Sequence, residues 1–106
     1  MKTKLLEIIN HYGIENQQRK LEEEVFELQE AITCYEYNDM IKDLTKINFK
    51  PIKEHIEEEV ADVCVLLMQF CNYYKLNVGN IGQIIDKKID RQLERIKNET
   101  NNWMAK

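Results

Sequence analysis

Glycine and proline are scarce, three and one among 106 residues. So few breakers leave little material for the turns of a many-stranded sheet, and no stretch alternates strictly between apolar and polar residues as a strand does. Cysteine is also scarce and odd in number. Cys34, Cys64 and Cys71 form no Cys-x-x-Cys pair and have no neighbouring pair of histidines, which argues against a disulfide framework and a structural zinc site. The longest unbroken apolar run, Val63 to Met68, is far short of the roughly 20 residues that cross a bilayer. No basic-then-apolar leader opens the sequence. Positive charge is not in excess either: 15 Lys and Arg against 19 Asp and Glu give a net charge of −4, which offers a nucleic acid polymer no overall attraction. These absences together predict a cytoplasmic protein that neither enters a membrane nor binds polymeric nucleic acid.

What is present is helical spacing. With 43% hydrophobic residues the chain has enough apolar surface for one modest domain over residues 1–106. Leu5, Leu6, Ile8 and Ile9 predict a short helix ending at Gly13. Asn16 suits the N-cap of a second helix over 17–37, with Leu21, Val25, Leu28, Ile32 and Tyr35 as its buried stripe and a break at Asn38 and Asp39. Residues 38–53 read as a connector, with a short helix near 40–46 and a loop before Pro51. A third helix over 52–74 carries Ile56, Val60, Val63, Leu67, Phe70 and Tyr74. After a connector at 75–82, a last helix over 81–98 carries Ile81, Ile84, Ile85, Ile89, Leu93 and Ile96, and residues 99–106 form a fraying tail. The predicted fold is all-α, a bundle of three long helices plus short ones, completed by oligomerisation because three amphipathic helices leave apolar edges uncovered.

Two carboxylate clusters stand out on this framework. Glu23, Glu24 and Glu27 form E-E-x-x-E, and Glu59 with Asp62 forms E-x-x-D. Residues three or four apart share a helix face, so each cluster points one way. Glu24 and Glu59 fall about 40° from the apolar stripes of their helices, where packing brings the two margins together. Such crowding of like charge is offset by a divalent cation with oxygen ligands, and Mg²⁺ favours carboxylates while keeping waters and phosphates in its shell. Di-iron chemistry is disfavoured, since neither His11 nor His55 follows a Glu by three residues. On the last helix Lys87, Arg91 and Arg95 recur every four residues, suited to phosphate but interleaved with Asp86, Asp90 and Glu94 as on any solvated face.

These residues resemble the MazG-like all-α nucleoside triphosphate pyrophosphohydrolases, relatives of the dimeric dUTPases and dCTP pyrophosphatases. The resemblance rests on K-x-x-E-E-x-x-E at Lys20, Glu23, Glu24 and Glu27, on Glu58-Glu59-Val-Ala-Asp62, and on Lys88-Ile-Asp-Arg91. It departs from the family at His55, where a lysine is frequent, and in the length of the connector between the clusters. It implies Mg²⁺-dependent hydrolysis of a (deoxy)nucleoside triphosphate to the monophosphate and pyrophosphate, with Mn²⁺ as a substitute ion. It further implies Glu24, Glu27, Glu59 and Asp62 as metal ligands, Glu23 and Glu24 as catalytic carboxylates, Lys20, Lys88 and Arg91 as phosphate ligands, and a homodimer or tetramer. Trp103, alone in a polar tail, is expected to fold over a neighbouring subunit or the substrate. The alternative reading is a non-catalytic helical dimer that senses nucleotides or binds a partner.

Overall fold

The computed structural model describes residues 2–41 and 52–104, with the side chains of 38–41, 52, 103 and 104 left aside. The 38–53 connector (apart from the helix ends that border it) and the placement of Trp103 therefore lie outside the described residues. Among the described residues four helices follow one another: α1 (Lys2–Tyr12), α2 (Ile14–Ile41), α3 (Ile52–Tyr73) and α4 (Val78–Met104). The all-α expectation holds. Among the described residues, no helix is long and apolar enough to cross a membrane.

The chain divides into two units, residues 1–75 with α1 to α3 and residues 76–106 with α4. In the first unit one residue joins α1 to α2. The Gly13 N–H donates to the Ile9 carbonyl at 2.8 Å and closes α1, while the Gly13 carbonyl accepts from the Gln17 N–H at 3.1 Å and opens α2. This double use requires φ of +89°, a conformation that glycine adopts without steric cost. A Cβ at Gly13 would meet nothing within 4 Å, so the penalty of adding one is confined to the backbone. Gly13→Ala is accordingly expected to lower stability by about 1–2 kcal/mol in urea unfolding, with the helix content of the native state unchanged.

Helix α2 thus starts earlier than its predicted cap. Asn16 lies inside it, its Nδ2 donating to the Tyr12 carbonyl at 2.7 Å, and the helix runs through Asn38 and Asp39 rather than breaking there. α2 and α3 pack antiparallel, since Gln17 near the start of α2 bonds Gln69 near the end of α3 at 2.8 Å. α1 packs against both, with Ile9 buried and Asn72 Nδ2 donating to the Lys2 carbonyl at 3.2 Å.

The faces that meet are not the most apolar ones. On α2 the inward positions are Gln17, Leu21, Glu24, Leu28 and Ala31, and on α3 they are Ile56, Glu59, Val63, Leu66, Gln69 and Phe70. Val25, Ile32, Tyr35, Val60, Leu67 and Tyr74, expected in the core, are exposed. At about 100° per residue, both helices are rolled by roughly 40–60° from the expected stripes, each toward its acidic edge. The roll carries Glu24 and Glu59 from the margins into the seam itself.

In the second unit α4 begins at Val78 because Asn77 caps it, its Oδ1 accepting from the Asn80 N–H at 2.9 Å. Helix persists to Met104, so the tail expected to fray from residue 99 is helical over most of its length. A lone helix has nothing within its own unit to cover an apolar face, and Ile84, Ile85, Ile89, Leu93 and Ile96 are exposed.

Candidate metal centre

The seam between α2 and α3 holds three carboxylates. One oxygen from each of Glu24, Glu27 and Glu59 lies within 4.8 Å of the other two. Glu24 and Glu59 are more than nine-tenths buried, at 6% and 8% exposure, whereas Glu27 is exposed and forms the open side. Asp62, expected as a fourth ligand, is exposed and outside this close set, yet its charge is near enough to act on Glu59.

The two buried carboxylates are built alike. Each has a basic residue one turn earlier on its own helix: Lys20 Nζ stands 3.2 Å from Glu24 Oε1, and His55 Nε2 stands 4.0 Å from Glu59 Oε1. Their second oxygens, Glu24 Oε2 and Glu59 Oε2, are buried and have no hydrogen-bond partner among the described residues. A buried ionised oxygen without a partner is costly, because water is lost and nothing replaces it. Two such oxygens on residues of one close carboxylate set, with Glu27 as its third member, fit a hard cation with oxygen ligands.

The surroundings of Glu59 act on its carboxyl in the same sense. Burial first, then the charges of Glu27, Glu24 and Asp62, push its carboxyl above the ordinary value of 4.5, with His55 opposing. Between 4.5 and the raised native value, the folded protein holds a proton that the unfolded chain has released. Stability without metal therefore increases as pH falls through that window and is lost as pH rises through it. In EDTA the difference in Tm between Glu59→Gln and the parent is expected to shrink as pH falls from neutral toward the ordinary carboxyl value of 4.5. Mn²⁺ affinity of the parent is expected to weaken over the same range, because proton and metal compete for one carboxylate.

The remaining predicted residues are distributed as follows. Glu23 is exposed and 3.5 Å from Lys20 Nζ. Lys20 is held protonated more firmly than usual, chiefly by its hydrogen bond to Glu24 and then by the charge of that residue. Lys88 and Arg91 are exposed on α4, in the second unit. Two buried residues farther along the same seam escape the sequence reading. Gln17 and Gln69 are buried at 7% and 3% exposure and bond each other across the seam. Their signal in the sequence is that Gln17 precedes Glu24 by two helical turns and Gln69 follows Asp62 by the same interval.

No protein-family model, curated protein or solved structure matches the chain.

Proposed function

We propose that the chain is a Mg²⁺-dependent pyrophosphohydrolase that cleaves a (deoxy)nucleoside triphosphate to the monophosphate and pyrophosphate. The observation that carries the metal half of this reading is the pair of buried, unpartnered oxygens on Glu24 and Glu59, with Glu27 beside them. The substrate half is supported by the resemblance of the K-x-x-E-E-x-x-E and E-E-V-A-D segments to the MazG-like enzymes.

Glu24, Glu27 and Glu59 would hold the ion, with Asp62 as the fourth carboxylate that the spacing suggests. A bound Mg²⁺ supplies neutralisation of phosphate charge and a more acidic water. The chain's own residues supply the rest. Glu23, exposed on α2 beside Lys20, would orient water or take its proton as the α–β phosphoanhydride breaks and pyrophosphate leaves. Lys20 remains an ammonium at neutral pH. Lys20, 3.2 Å from Glu24, is the nearby cation that would hold phosphate. Lys88 and Arg91, on α4 in the second unit, enter as phosphate ligands through the family resemblance alone. Such a reaction asks little covalent work of the protein, so placement and charge balance provide most of the catalysis.

The exposed apolar residues of α2, α3 and α4 support assembly into a homodimer or tetramer. They are equally what the alternative reading needs, a helical interaction protein or nucleotide sensor without turnover. The three free thiols suit a reducing cytoplasm. A panel of ribo- and deoxyribonucleoside triphosphates with Mg²⁺ or Mn²⁺, assayed for pyrophosphate, tests the reaction. Release from at least one substrate, abolished by EDTA, is the expected result. Metal-dependent nucleotide binding without product would establish the sensor instead.

A further inference from the structure

The carboxylates of the metal centre come from two different helices, so their separation depends on the register of α2 against α3. Most inward positions of that seam are apolar: Leu21, Leu28 and Ala31 on one side, Ile56, Val63, Leu66 and Phe70 on the other. Apolar packing is close but non-directional, and it leaves neighbouring registers near in energy. Gln17 and Gln69 differ in kind. Both are more than nine-tenths buried, and Gln17 Nε2 donates to Gln69 Oε1 at 2.8 Å. Gln18 Nε2 donates to the Tyr74 hydroxyl at 3.1 Å in the same end layer, but at an exposed position where water competes.

The positions of these glutamines relative to the site are specific. Gln17 precedes Glu24 by seven residues on α2, and Gln69 follows Glu59 by ten on α3. Seven residues are two turns, about 10.5 Å along the axis and within about 20° of the same direction, and ten are about 15 Å. The amide pair and the carboxylates therefore lie in the same seam, parted by the layer that holds Leu21 on α2 and Val63 and Leu66 on α3. A slide of a single residue rise, about 1.5 Å, would leave buried amide groups unpaired, which is costly. The same slide would spread the carboxylates far beyond the roughly 0.2 Å within which metal–ligand distances are held.

We infer that the buried Gln17–Gln69 amide pair is a register pin, a positioning pair that fixes Glu24 and Glu27 on α2 against Glu59 on α3 at the spacing a divalent cation requires. The inference rests on the metal reading above and adds the device that sets its geometry. A buried polar contact that selects one alignment at some cost in stability is an established use of such groups between helices.

The test replaces both partners by a side chain of similar length without hydrogen-bonding groups, Gln17→Met with Gln69→Met. Removing both partners leaves no unpaired amide, so Tm in EDTA is expected to stay within about 4 °C of the parent. Mn²⁺ binding, followed by the electron paramagnetic resonance of the free ion, is expected to weaken at least 10-fold. A purely structural role predicts the reverse, a lower Tm with unchanged affinity of the folded protein. Should the double variant fail to fold, Gln17→Met alone is titrated at a temperature where its circular dichroism equals that of the parent, with the same criterion. A variant affinity within twofold of a parent that does bind Mn²⁺ overturns the pin and leaves the metal centre standing. A parent that binds no Mn²⁺ overturns both.

Discussion

Glu59→Gln is expected to raise the Tm of the metal-free protein and to remove most of its response to metal. The wild-type carboxylate is buried, has one unpartnered oxygen and is pressed by Glu24, Glu27 and Asp62. The amide keeps the shape and removes the charge. Relief of about 1 kcal/mol corresponds to about 4–8 °C for a domain of this size. In the parent, an ion at 100 times its Kd adds about 2.7 kcal/mol to the folded state by mass action, so millimolar Mn²⁺ or Mg²⁺ is expected to raise Tm by at least about 10 °C. The two effects cross over: the variant is the more stable protein in EDTA and the less stable one in saturating metal. Differential scanning fluorimetry of both proteins with and without metal reads this directly. A variant destabilised in EDTA with its metal increment intact would make Glu59 a structural residue.

Catalysis is the second large effect. Glu24→Gln is expected to reduce pyrophosphate release by at least about 100-fold, the scale on which loss of one preorganised electrostatic group acts. Loss of a metal ligand also makes the residual rate depend on metal concentration, so part of the deficit should return at high Mn²⁺. Far-ultraviolet circular dichroism is expected to be unchanged, because Glu24 contributes repulsion rather than cohesion to the metal-free seam. Full activity in Glu24→Gln would remove Glu24 from the ligand set and with it the proposed reaction centre.

The helices were legible in the sequence because their apolar residues recur at three- and four-residue intervals over long stretches, as at Leu21 to Ile32 and Ile56 to Phe70. The two carboxylate clusters were legible from spacing alone. Which edge of each stripe turns inward was not. Periodicity fixes a stripe on one helix, whereas the roll of about 40–60° depends on how two helices meet, a long-range property. The exposure of Val25, Ile32, Val60 and Leu67 follows from that roll and carries the same lesson. Gln17 and Gln69 were passed over because glutamine is ordinarily a surface residue, and one amide shows its purpose only beside the other. At α4 the boundaries moved because Asn77, read as part of a connector, is a cap, and because helix continues across the polar run after Asn98.

The parallel construction of the two buried carboxylates has a consequence for how a ligand would be seated. Base, glutamate and acidic residue follow at the same intervals in Lys20–Glu24–Glu27 and in His55–Glu59–Asp62, on helices that run in opposite directions. The intervals repeat about an approximate two-fold axis in the sequence, and the structure breaks that symmetry: Glu27 joins the close carboxylate set and Asp62 stays outside it. A second difference between the two walls is a lysine ammonium 3.2 Å from Glu24 against an imidazole 4.0 Å from Glu59. Exchanging those two residues, Lys20→His with His55→Lys, would move the permanent cation from the α2 wall to the α3 wall while preserving the composition.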